Sequence, residues 1–148
     1  FLYLHEIQDP GNAGTILRSA DALGATAVIT SPGSVDMYSP KVVRSTAGSL
    51  WHLPIFERVS LDLLQTTIPN LNFATLSADG KKSIRQFVIN ENTVLIFGNE
   101  ARGLADLEVP VATQALAIPM AGNAESLNLS AAVSIVLFEL TAKIADDK

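Results

Sequence analysis

The chain has 148 residues, of which 48% are hydrophobic and only 17% charged, with a formal net charge of −5. That length fits one domain with ample material for a core, while no apolar run reaches the ~18 residues of a membrane helix, so the chain reads as soluble and cytoplasmic. The absence of cysteine excludes disulfides and thiolate metal sites, and the acidic balance argues against a generic nucleic-acid binder, although the basic residues can still gather on one face.

The first residue is Phe1, not Met, and it falls directly into a strand-like run, "FLYLHEI". No basic leader precedes it, so we expect a fragment whose N-terminal portion is missing. The turn "QDPGN" follows, then a helix from about Ala13 to Leu23, with Asn12 as N-cap and Gly24 just past its end. Ile16, Leu17, Ala20 and Leu23 form its apolar stripe. "ATAVIT" is a short strand rich in β-branched residues. Ser39 and Pro40 read as N-cap and first residue of a helix that ends near Gly48. "WHLPIF" reads as a strand weakened by Pro54, with Trp51 packed, and Ser60 opens a short helix through Leu63 and Leu64. "NFATLS" is a strand, whereas "SIRQFVI" fits a helix or irregular structure equally. "TVLIFG" and "ALAIPM" read as strands covered on both faces. The last helix runs from near Asn128 to about Ala145. About six strands alternating with helices predict one α/β domain, residues 1–148, built on a parallel sheet with helices on both faces.

Three loops carry more polar chemistry than turns require. "IQDPGNAGTILRSADALG" leads from a strand into a helix, a common place for an anion or nucleotide. It lacks the GxGxxG fingerprint of ordinary dinucleotide-binding folds. Its Arg18 lies off the apolar stripe; it reads as a solvated cation with Asp21 as partner, or as a functional group. "TVLIFGNEARGL" ends an apolar strand in Gly98, Asn99 and Glu100, then Arg102 and Gly103. Ligands sit at the carboxyl ends of parallel strands, which is where this loop falls. "IPMAGNAESLNLSAAVSIVLFEL" crowds Asn123, Glu125, Ser126, Asn128 and Ser130 against an apolar helix. Ser126 or Asn128 can cap that helix, which explains one of these groups. Leu129, Ala132, Val133, Val136 and Leu140 make one apolar face, and Ile135 with Phe138 another. A helix apolar on two sides is buried on two sides, here against its own sheet and against a second subunit. The scarcity of charged residues points the same way.

In this order, the stretches "DPGNAGTILRSADALGA" (9–25), "IFGNEARGL" (96–104) and "IPMAGNAESLNLSAA" (118–132) resemble the three motifs of the SpoU (TrmH-like) family of RNA 2′-O-ribose methyltransferases, in the SPOUT superfamily. "SPKVVRSTAGSLWHLPI" (39–55) resembles the family's middle segment. The resemblance implies a SPOUT fold with a deep C-terminal trefoil knot, a homodimer, and S-adenosylmethionine as methyl donor. It also implies that the separate N-terminal RNA-binding domain of many members is absent from this chain. Leu76, Gly98, Ile118, Met120, Ser126 and Leu127 would hold the cofactor. Asn12, Arg18, Glu100, Ser126 and Asn128 match the active-site positions. The expected partner is structured RNA, ribosomal in preference to transfer RNA, with no membrane and no metal.

Arg18 resembles the residue often assigned as the family's general base, but a guanidinium stays protonated, with a pKa above ~12. We read it as a cation that holds an RNA phosphate and stabilises developing alkoxide charge. Asn12 and Asn128 would position groups, and Glu100 would hold Asn12 or Arg18. Lys41, Arg44 and Arg102 are candidates for further phosphate contacts, each open to the plainer reading of a solvated charge. His5 and His52 read as structural or exposed. A catalytically inactive RNA-binding or dimerisation module of the same fold is the alternative.

Overall fold

A strand covered on both faces reads as a near-continuous apolar run, not an alternating one. "LYL", "AVIT" and "TVLIF" have that form and are buried. "ALAIPM" does not behave as expected, since its strand is Gln114–Ala117 with Gln114 and Ala115 exposed. The computed structural model describes residues 1–146. In chain order the elements are β1 (Leu2–Leu4), α1 (Pro10–Ala22), β2 (Val28–Thr30), α2 (Pro40–Ser45), β3 (Ile55–Phe56), α3 (Leu61–Thr67), β4 (Asn72–Leu76), β5 (Lys82–Ser83), β6 (Thr93–Phe97), β7 (Gln114–Ala117) and α4 (Leu129–Asp146). Every residue of β1, β2 and β6 is at most 3% exposed.

The strands form one sheet in the order β3-β2-β1-β6-β4-β7-β5, and every neighbouring pair is parallel. Alternate side chains take opposite faces. Leu2 and Leu4 join Ile16, Leu17, Val42, Val133, Val136 and Leu140, so α1, α2 and α4 cover one face. Tyr3 joins Ile29, Phe73, Val94 and Ile96 with Leu61 and Leu64 of α3 on the other. The Tyr3 hydroxyl donates to the Val59 carbonyl at 3.0 Å, and burial pushes its pKa up to about 12.

Several local expectations are corrected. Helix α1 begins at Pro10, and its N-cap is Asp9, not Asn12: the Asp9 carboxylate accepts from the Asn12 amide at 2.7 Å. Pro10, with φ preset and no amide to satisfy, fits the first helical position. Helix α2 stops at Ser45, before Gly48, because Ala47 and Gly48 both adopt positive φ, 49° and 97°. "WHLPIF" yields only Ile55–Phe56 as strand, since Ser49–Trp51 forms a 3-10 turn. Trp51 is not packed but 74% exposed. Ser60 caps α3 as expected, accepting from the Leu63 amide at 3.1 Å.

The sheet has seven strands instead of six. The additional one, β5, has no apolar run and is held through β7, Lys82 opposite Leu116 and Ser83 opposite Ala117. "SIRQFVI" resolves into the end of β5 and a 3-10 turn, Ile84–Gln86. Because β7 lies between β4 and β5, this late strand occupies a slot bounded by the earlier 76–82 connection. Gly80 permits the fit: a Cβ there would lie 2.2 Å from the Leu116 carbonyl carbon. The Ser77 amide donates to the Leu116 carbonyl at 3.0 Å.

Candidate active site

Strands β1, β6, β4 and β7 are consecutive neighbours and parallel. The segments that follow Leu4, Phe97, Leu76 and Ala117 therefore leave the sheet along one edge, where open α/β sheets bind ligands. All three polar loops meet this edge.

Since Asp9 caps α1, the Asn12 side chain is free for other work. Its Nδ2 donates to Glu100 Oε1 at 3.4 Å, and its Oδ1 accepts from Asn128 Nδ2 at 3.1 Å. The three residues lie 88 and 116 positions apart in sequence. Chemistry dictates the orientation of both amides. A carboxylate only accepts, so Asn12 must turn its NH₂ to Glu100 and its oxygen to Asn128. Asn128 then keeps its own oxygen for the start of α4, accepting from the Ser130 amide at 2.9 Å and the Ser130 hydroxyl at 2.6 Å. Asn128 is thus both helix cap and site residue. One N–H on each amide is left over, because an NH₂ has two donors.

Glu100 also accepts from the backbone amides of Gln8 at 3.2 Å and Asp9 at 3.1 Å. It therefore joins the β6 loop to the turn that opens α1. Gln8, Pro10, Asn12, Glu100, Ala101 and Asn128 line an open cleft of about 530 Å³.

The loop that carries Glu100 is tightly built. Asn99 and Gly103 exchange backbone hydrogen bonds of 2.8 Å in both directions. A Cβ on Gly98 would stand 2.3 Å from the Gly103 carbonyl carbon, so glycine is required here by backbone approach. Asn99 is buried; its Nδ2 donates to the Glu6 carbonyl at 2.8 Å, and its Oδ1 accepts from the Ala101 and Arg102 amides at 2.9 and 3.1 Å. The sequence marks Asn99 only as one of the polar residues that end the strand, with no sign of its anchoring role, and the Gln8 and Asp9 amides carry no side-chain signal by which it could mark them.

The other candidates divide. Arg18 is exposed on α1 and stands apart from the Asn12–Glu100–Asn128 cluster, six residues or ~9 Å along the axis from Asn12. Asp21, its expected partner, instead pairs with His52 at 2.7 Å. That hydrogen bond, reinforced by Ser49, lowers the pKa of the Asp21 carboxyl. Lys41 and Arg44 are exposed on α2, and among the described residues Arg18, Lys41 and Arg44 have no ion pair. Arg102 differs: its guanidinium pairs with the Glu6 carboxylate and, at 3.0 Å, with Asp106. His5 is buried.

Leu76 and Ile118 are half-buried and pack against the core. Met120 and Leu127 are exposed, as is Ser126, which the structure does not bring into the Asn12 cluster. The Ile135 and Phe138 side chains of α4 are 40% and 64% exposed, whereas Val133, Val136, Leu137 and Leu140 on its inner face are buried. No group of three or more potential metal ligands occurs among the described residues, and none of their helices is long and apolar enough to cross a membrane.

Fold and site together define a parallel-sheet α/β protein whose polar centre joins its first helix to two loops from late in the chain. The chain belongs to the SpoU rRNA Methylase family, whose model matches residues 1–138. It is 37% identical over 140 residues to the uncharacterized tRNA/rRNA methyltransferase slr1673 of Synechocystis sp., covering 93% of this chain and 51% of that protein. It is 35% identical over 137 residues to the 23S rRNA (uridine(2479)-2′-O)-methyltransferase of Streptomyces viridochromogenes, covering 88% and 48%. The crystal structure of the SpoU methyltransferase AviRb from Streptomyces viridochromogenes with the cofactor AdoMet superposes with a TM-score of 0.88 at 32% identity, covering 98% of this chain and 60% of that one. The chain spans about half the length of the curated relatives it matches.

Proposed function

We propose that this chain is the catalytic domain, residues 1–148, of an S-adenosylmethionine-dependent methyltransferase that modifies a ribose 2′-hydroxyl in RNA. The observation that carries the reading is the Asn12–Glu100–Asn128 cluster, built from three distant segments at the edge where a parallel sheet receives ligands. Family membership and an AdoMet-bound relative of the same fold support it. Ribosomal RNA is the favoured substrate, supported by the 23S rRNA relative.

The residues present suit the cofactor. Leu76, Gly98, Ile118 and Met120 follow three adjacent strands, and Ser126 and Leu127 follow on the chain from Met120. Leu76, Ile118, Met120 and Leu127 offer apolar surface to an adenine and a methionine chain. Residues 119–127 are exposed throughout and, among the described residues, make no hydrogen bond of their own, so their backbone groups are available to a ligand. When bound, the cofactor supplies a methyl group on a positively charged sulfur, whose departure as a neutral thioether needs no acid or metal.

The protein's task is to place the 2′-hydroxyl in line and relieve it of its proton. Glu100 is poorly suited as the base, because its oxygens already accept two backbone amides and the Asn12 amide. Its role is to hold Asn12. The spare N–H groups of Asn12 and Asn128 orient the ribose oxygen. Arg18, with no ion pair among the described residues, grips the neighbouring phosphate and stabilises alkoxide charge. Proton acceptance then falls to that phosphate or to water. Lys41 and Arg44 extend the cationic surface. Arg102, already paired with two carboxylates, drops out as a phosphate contact.

The working form is a homodimer in the cytoplasm. The exposed Ile135 and Phe138 support it, since a second copy covering them would bury the outer face of α4 as completely as the inner one. The slot that β7 fills between β4 and β5 supports a knotted C-terminal path. Calorimetry with S-adenosylmethionine, followed by mapping of 2′-O-methyl positions in ribosomal and transfer RNA from cells lacking the gene, tests the reading. Absence of any binding heat would favour an inactive RNA-binding module instead.

A further inference from the structure

Glu6 is one of the few non-glycine residues with positive φ, 46°, and it lies just before the two amides that Glu100 holds. A left-handed conformation at a residue with a side chain persists only where its surroundings over-determine it. Besides a 3.3 Å bond from Gln8 Nε2 to the Glu6 carbonyl, three contacts with residues distant in sequence do so here. The Glu6 amide donates to Ser31 Oγ at 2.7 Å, its carbonyl accepts from Asn99 Nδ2 at 2.8 Å, and its carboxylate pairs with Arg102 across 96 residues of sequence. Arg102 is in turn oriented by Asp106, four residues on, and its own amide is bonded by Asn99 Oδ1. The two ends of this assembly bracket Glu100 on one side and Gln8–Asp9 on the other.

We propose that Glu6 and Arg102 form a clamp that positions Glu100 against the Gln8 and Asp9 amides, and through Glu100 sets the Asn12 amide in the cleft. Arg102 is then a positioning residue and not a contact to RNA phosphate. The Arg102 charge is already matched by two carboxylates, one on each terminal nitrogen, so an approaching phosphate meets a neutralised group. Releasing it for a phosphate would cost the left-handed turn one of its supports. As regards RNA methylation, the clamp rests on the function proposed above; as regards the loop geometry, it stands alone.

Two measurements on the full chain decide the matter. Hydrogen exchange at the Gln8 and Asp9 amides reads the clamp without reference to activity. Glu6→Gln and Arg102→Gln should each speed exchange at these amides to the level seen in Glu100→Gln, with global melting little changed. Unaltered exchange in both variants overturns the proposal. In methyl transfer to the RNA substrate, each single variant should lower kcat about tenfold, and the double variant should be no slower than the slower single, as expected of partners in one contact. The slope of RNA affinity against salt should stay as in the unaltered chain. Arg102→Gln that keeps kcat but lowers the salt slope by about one would instead make Arg102 a phosphate contact. A chain that methylates no RNA would sink the proposed function, and the exchange result would still settle the clamp.

Discussion

The loop after β6 and the segment after β7 reach the same edge of the sheet but are held in opposite ways. Residues 98–103 are closed by a backbone exchange between Asn99 and Gly103 and anchored by the buried Asn99 side chain. Residues 119–127 are exposed throughout, with no such bonds among the described residues. The first arrangement is finished before any ligand arrives, which lowers the ordering cost at the moment of binding. The second is an exposed surface whose apolar side chains and backbone groups fit the cofactor contact proposed above. A braced polar loop thus stands beside a segment that is not braced.

That division makes separable predictions. The largest effect is expected at Arg18, on the helix that carries Asn12 and outside both loops. Arg18→Ala should reduce kcat by roughly 10²–10³-fold, as loss of a charge-stabilising group does, while cofactor affinity by calorimetry stays within a few-fold. Equal losses in both would contradict that role. Gly98→Ala comes next, because its Cβ would sit 2.3 Å from the Gly103 backbone. Overpacking of this kind costs about 1–3 kcal/mol, readable as a lowered midpoint in urea. In residues 119–127, Leu127→Ala should do the reverse. It should weaken cofactor binding about tenfold, or ~1.4 kcal/mol, and leave the ligand-free melting temperature unchanged. A clear drop in that temperature would mean the segment is already packed without its ligand.

The smallest effect lies away from both loops, at the surface pair of Asp21 and His52. Hydrogen bonding lowers the folded-state pKa of Asp21 below its ordinary 3.8. Its contribution to stability is therefore present above the unfolded value and is lost as pH falls through the folded one. Asp21→Asn should flatten the stability profile in acid, below about pH 4, lowering stability slightly at neutral pH and converging with the unaltered chain as the carboxyl protonates. Profiles that overlay from neutral pH down through acid would remove the pair from consideration.

How far the sequence could be read differs from element to element for physical reasons. β1, β2 and β6 were legible because a fully buried strand is a near-continuous run of apolar and β-branched residues, and Ser60 because a hydroxyl cap leaves a local signature. β5 was not, since Lys82 and Ser83 become a strand only by pairing with Leu116 and Ala117. Trp51 was read as packed because indole area favours burial, but its 3-10 turn leaves it outside. At the site, Asn12, Glu100 and Asn128 were legible through the resemblance of their stretches to the family's motifs, whereas their residue types alone read as caps and a turn. The pairing of Arg102 with Glu6 was not legible, because a sequence shows a charge and not the distant carboxylate that meets it.

The order of residues alone settled the α/β class and the parallel pairing implied by alternating strands and helices. Those properties follow from local periodicity and side-chain chemistry, which neighbouring residues express without help. Asn12, Glu100 and Asn128 were marked by the resemblance of their stretches to the family's motifs. Only the folded chain decided that Asp9 and not Asn12 caps α1, that Asn12 bridges Glu100 to Asn128, and that Glu6 captures Arg102. Each of these choices is made between groups that lie far apart along the chain or compete for one donor, and such competition is resolved by proximity in space.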